Sequence, residues 1–160
     1  MDKYGKVFKK HQDKEIKFFL RPYNPDNEKY FEVIKKARSE GLKQVIINSE
    51  IMTDILYSTL ESGGIILKIN MSDTTDQDIK DNIRSIISKL RKDKLLFVKL
   101  KEQLEWAAER ESIDINSIEI YIHNKKYQIY SNGIIFGDDL NGLFENNIKR
   151  VLEEYFTVRK

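Results

Sequence analysis

Ile118–Glu119–Ile120–Tyr121–Ile122–His123–Asn124–Lys125–Lys126–Tyr127–Gln128–Ile129–Tyr130 alternates apolar and polar residues, breaks at a polar turn, and resumes beyond it. Period-two alternation puts Ile118, Ile120 and Ile122 on one face of a strand, with Glu119, Tyr121 and His123 on the other. A turn at Asn124–Lys125–Lys126 returns the chain as a second arm, Tyr127–Tyr130, which predicts a β-hairpin. One apolar face must be covered by other elements, and the flanking sequence reads mostly as helix. The expected class is therefore α+β.

On the C-terminal side, Asn132–Gly133 is a turn signal leading to a short strand, Ile134–Phe136. An amphipathic helix follows from about Asp139, with Leu140, Leu143, Phe144, Val151, Leu152, Tyr155 and Phe156 on its apolar side. On the N-terminal side lies a long helical segment. Asp73, Thr74, Thr75, Asp76, Gln77 and Asp78 open a helix whose Ile79, Ile83, Ile86, Ile87 and Leu90 share one face. The pattern breaks at Lys92–Asp93–Lys94, and a second helical phase, Leu95 to about Glu111, buries Leu96, Phe97, Leu100, Leu104, Ala107 and Ala108. Periodicity leaves open whether these are one bent helix or two.

The first half reads β-α-β-α-β. Its strands are Glu15–Leu20, stopped by Pro22, then the β-branched run Gln44–Asn48, then Ile65–Ile69. Residues 4–8 would pair with the first strand across a turn at 11–14. Asn24 as N-cap with Pro25 at the first helical position predicts a helix burying Tyr30, Phe31, Ile34 and Ala37 and ending at Gly41. Ile51, Ile55, Leu56 and Thr59 keep helical spacing up to the Gly63–Gly64 pair. One domain over residues 1–160 is the expectation, with residue 72 the place where two subdomains would meet.

The absence of cysteine excludes disulfides, thiolate nucleophiles and Cys-ligated zinc, and suits a reducing, cytoplasmic setting. Six lysines spread through the first twenty residues are unlike a signal peptide, and no apolar run is long enough to cross a bilayer. His11 and His123 have no partner at metal-ligand spacing and read as a turn residue and an exposed strand residue. No nucleophile elbow, Walker motif or dinucleotide fingerprint is present, so no cofactor or metal is expected. Asp73–Asp76–Asp78 and Asp138–Asp139 sit at helix starts, where carboxylates cap free N–H groups, and they lack the Gly and Glu of a calcium loop. Glu15–Ile16–Lys17 has the E-x-K shape of some nuclease sites without the aspartate that should precede it.

Charge and an unusual helix supply the functional leads. Residues 80–101 hold eight basic and two acidic side chains, and residues 102–120 then hold six acidic and one basic. Lys80, Arg84 and Arg91 fall within about 40° of one another on a helix at 100° per residue. With the lysine-rich N-terminus and its Tyr4, Phe8, Phe18 and Phe19, they suggest contact with nucleic-acid phosphates. The 95–111 helix carries a second apolar stripe, Leu95, Val98 and Trp106, opposite its core stripe. Such a helix is either buried between layers or presents a partner surface.

Residues 104–121 also loosely follow a helix-turn-helix template, through Leu104, Ala108, Ser112, Ile113, Ile118 and Tyr121. The strand period of 118–122 and the acidity of the would-be recognition helix rank it below the hairpin. The leading functional expectation is a non-enzymatic protein-interaction or regulatory module acting in a complex through Leu95, Val98 and Trp106, or through an exposed sheet edge. The alternative is a nucleic-acid-binding accessory protein using Lys80, Arg84, Arg91 and the N-terminal lysines.

Overall fold

A computed structural model describes residues 3–72 and 76–158. The expected α+β class holds, built on one seven-stranded sheet that is antiparallel throughout. Strands β1 (Lys3–Gln12) and β2 (Glu15–Tyr23) form the first hairpin, and two-residue β3 (Lys43–Gln44) adds to β1. Strands β5 (Ile115–Ile122), β6 (Lys125–Tyr130) and β7 (Ile134–Gly137) form a meander, and β7 pairs with Lys3–Lys6 of β1. Strand β4 (Ile65–Met71) pairs with β5, giving the order β2-β1-β7-β6-β5-β4 with β2 and β4 at the edges.

The 118–130 hairpin forms with its turn one residue earlier than the sequence suggests. His123 and Asn124 both take positive φ, +54° and +63°, the type I′ geometry whose twist matches paired strands. Ile118, Ile120 and Ile122 are buried, in register with Ile129, Tyr127 and Lys125. That strand occupies the segment a recognition helix would need, so the helix-turn-helix template is not realised. His123 is thus the exposed turn residue, and His11 lies exposed on β1, the reverse of their expected roles.

Helices α2 (Ser49–Glu61), α3 (Gln77–Leu90) and α4 (Phe97–Arg110) share one core with the sheet, joined by the C-terminal helical run. That run comprises α5 (Leu140–Leu143), a π-helical turn (Phe144–Ile148) and α6 (Lys149–Val158). Helix α1 (Tyr30–Ser39) packs separately, with Ile34 and Ala37 against Phe8 and Leu42. Successive strand residues face opposite ways, so Val7 enters the main core and Phe8 serves α1 on the other face. The break at 92–94 is real: α3 and α4 are separate helices joined by a 3₁₀ turn, Lys94–Leu96, which Asp93 caps by accepting from the Leu95 N–H at 3.1 Å.

Three local expectations fail for physical reasons. Asn24 caps a single turn, accepting the Asp26 N–H on Oδ1 at 3.0 Å, and the helix starts only at Tyr30. With that start Ile34 and Ala37 point inward, and Phe31, one residue past Tyr30, is 76% exposed. Gln44–Asn48 makes ladder contacts only through β3. Val45 and Ile47 are buried against the Ser131–Gly133 turn, where the Ile47 N–H donates to the Ser131 carbonyl at 2.8 Å. Gly133 is required there, since its φ is +86° and a Cβ would lie 2.7 Å from the Val45 carbonyl oxygen.

Lys6 is the least expected core residue, at 1% exposure. Its ammonium donates to the Asn132 carbonyl and sits 5.0 Å from the Tyr30 ring centroid and 5.8 Å from that of Phe8. Burial lowers its pKa from 10.5 to about 8.

Candidate functional site

Helix α4 and the preceding turn settle the question of the second apolar stripe. Phe97, Leu100, Leu104 and Ala107 are buried, and Leu95, Val98 and Trp106 lie outside the core at 84%, 62% and 44% exposure. The two-sided pattern is therefore not a helix sandwiched between layers. Leu95 stands on the 3₁₀ turn, and the Asp93 cap holds that turn in place, so the apolar stripe begins before α4 itself. Tyr57 of α2, also exposed, packs its ring on Phe97 at 5.4 Å and widens the apolar surface near the start of α4. Exposed Glu102, Glu105 and Glu109 make the rest of the outer side of α4 acidic, with Lys101 engaging Glu105 at 3.9 Å.

Basic residues converge at a different place. Lys80 and Arg84 of α3 and Arg91, its C-cap residue, line one groove of about 690 Å³ between that helix and edge strand β4. Lys68 of β4 joins them, a residue that reads from sequence only as the polar member of the run Ile65–Ile69. Five consecutive β4 residues, Leu67 to Met71, border the groove. Since neighbouring side chains on a strand point to opposite faces, a groove touching all five runs along the strand's edge. Its floor is aliphatic, with Ile69, Ile83 and Ile87, and among the described residues neither a carboxylate nor an aromatic ring lines it. Asp81 meets Arg84 at 3.8 Å from outside the groove.

No family model, no curated protein and no solved structure matches the chain.

The N-terminal lysines do not join this groove. They belong to β1 and β2, at the opposite end of the sheet from β4. Lys6 is buried, Phe8 and Phe18 are core residues, and the Lys9 ammonium stacks 4.6 Å over the Phe156 ring. The acidic helix starts behave as caps where they are described. Asp76 accepts from the Asp78 and Ile79 N–H groups at 3.0 and 3.3 Å, and Asp139 accepts from that of Gly142 at 3.1 Å. Asp73, Thr74 and Thr75 lie outside the described residues. Among the described residues, no helix is long and apolar enough to cross a membrane.

Proposed function

We propose that the protein is a non-enzymatic interaction module that works within a complex, through the outer side of α4. One observation carries the reading: Leu95, on the Asp93-capped turn, and Val98 and Trp106, on α4, are exposed, and the opposite side of α4 is used by the core. Burying Leu95 and Val98 against a partner would contribute about 1.5–3 kcal/mol each, and tryptophan is the residue most enriched at energetic centres of interfaces. Glu102 stands one turn from both Val98 and Trp106, so the face is mixed apolar and acidic and favours a basic or neutral partner surface.

The test is capture from cells carrying the tagged chain, comparing wild type with a Leu95→Ala/Val98→Ala/Trp106→Ala variant, alongside the molar mass of each in solution. The reading expects a stoichiometric partner, or self-association, that the variant loses while melting at the wild-type temperature. An unchanged partner set and unchanged molar mass would remove it. A second reading, contact with a nucleic-acid backbone, draws support from the clustering of Lys68, Lys80, Arg84 and Arg91 in one groove.

A further inference from the structure

The geometry points to the β4–α3 groove as a docking site for an extended acidic peptide segment, one that carries both carboxylates and aliphatic residues and adds to β4 as an extra strand. This surface shares no lining residue with the exposed stripe of α4, so it stands or falls independently of the interaction reading, and it competes with the nucleic-acid reading of the same groove. Strand β4 pairs with β5 on one side, and among the described residues no strand pairs with its other side. An edge of this kind carries backbone donors and acceptors that a further strand satisfies. Lys68 guards it against a second copy of itself, because two such edges would bring lysine and arginine against lysine and arginine. A partner bearing carboxylates turns the same guard into a recognition element.

Two features choose peptide over nucleic acid. Sequence-tolerant binding of single strands relies on aromatic rings that stack on bases, and no ring lines this groove among the described residues. The floor of Ile69, Ile83 and Ile87 instead suits branched aliphatic side chains, and the four cations lining the same groove suit carboxylates. The register sets the length. Strand β4 is irregular between Ile66 and Lys68 and again between Asn70 and Met71, so regular pairing is confined to Lys68–Asn70 and their immediate neighbours. A docked segment would thus be short, about four or five residues or roughly 13–17 Å. The volume of about 690 Å³ agrees with that size.

The experiment is fluorescence anisotropy with the full chain and a labelled heptapeptide built of Glu and Val. Three further probes accompany it: the same peptide with its amides N-methylated, a Lys–Val counterpart, and an oligothymidylate of equal charge. The acidic peptide is expected to bind, to weaken with salt, and to lose about tenfold or more in affinity to a Lys80→Ala/Arg84→Ala/Arg91→Ala variant. The N-methylated and Lys–Val peptides are expected not to bind, and the α4 variant Trp106→Ala is expected to bind as wild type does. Equal binding of the N-methylated peptide would overturn strand pairing. Tighter binding of the oligothymidylate would transfer the groove to nucleic acid, and undiminished binding by the triple variant, or none by wild type, would end the proposal. Because the three substituted side chains lie on the outside of α3, an unchanged melting temperature checks that the variant keeps the fold.

Discussion

Replacing Lys6 by Met is expected to stabilise the protein at neutral pH and to lose that advantage as pH rises. The buried ammonium has a pKa of about 8, against 10.5 for a solvated lysine of the unfolded chain, so charging it in the folded state costs about 3 kcal/mol. The sign follows from proton counting. Between pH 8 and 10.5 the unfolded chain holds a proton that the folded chain has released, so wild-type stability rises with pH across that window. Below about pH 8 the full penalty applies. Met keeps most of the side-chain volume between the Tyr30 and Phe8 rings but forfeits the hydrogen bond to the Asn132 carbonyl, worth about 1 kcal/mol. The net gain at pH 7 is then about 2 kcal/mol. Most of the penalty is relieved by pH 10, so the variant's advantage should disappear there. For a chain of this size the difference in melting temperature between variant and wild type should shift by about 7 °C from pH 7 to pH 10. Paired thermal melts across that range measure it directly. A difference that stays constant with pH would show that Lys6 does not titrate in a buried environment, and the packing derived for β1 would be wrong.

Other substitutions probe the frame around the two surfaces. Gly133→Ala should cost about 2–3 kcal/mol, because it forces a side chain into a positive-φ backbone against the Val45 carbonyl, and chemical denaturation would report it. An Ile118→Ala change, at a fully buried position in the middle of the sheet, should cost about 3–4 kcal/mol in the same assay. Removing the cap with Asp93→Ala should cost about 1 kcal/mol and, by loosening the turn that carries Leu95, should weaken partner capture more than it lowers the melting temperature. Leu95→Ala and Val98→Ala should each leave stability within about 0.5 kcal/mol of wild type, since neither side chain is in the core.

Local chemistry was legible in the sequence wherever it also decides the structure. The alternation of Ile118, Ile120 and Ile122 forms the expected inner face, Asp76 caps α3, and Gly41 ends the first helix with a φ of +83°. Failures came where a tertiary neighbour overrides a local signal. Val45–Ile46–Ile47 has the composition of a buried strand, yet its neighbour is the 131–133 turn and Ile46 faces solvent. Asn24–Pro25 has the form of a helix start, but Asn24 spends its side chain on the turn before α1. The Leu95–Val98–Trp106 stripe was visible as a pattern, whereas its exposure depends on what packs against α4. Lys68 carried no signal of its own, because its meeting with Lys80, Arg84 and Arg91 follows from the seating of α3 beside an edge strand.

Trp106 is the only tryptophan, so its fluorescence reports on the proposed contact face without a label. The decisive measurement is acrylamide quenching of that emission, in the isolated chain and in the complex recovered by capture with a tryptophan-free or spectrally corrected partner. The account predicts ready quenching in the isolated chain, where the side chain is 44% exposed, and strong protection in the complex. Equal quenching in both states would contradict it and leave the outer side of α4 as a solvated surface.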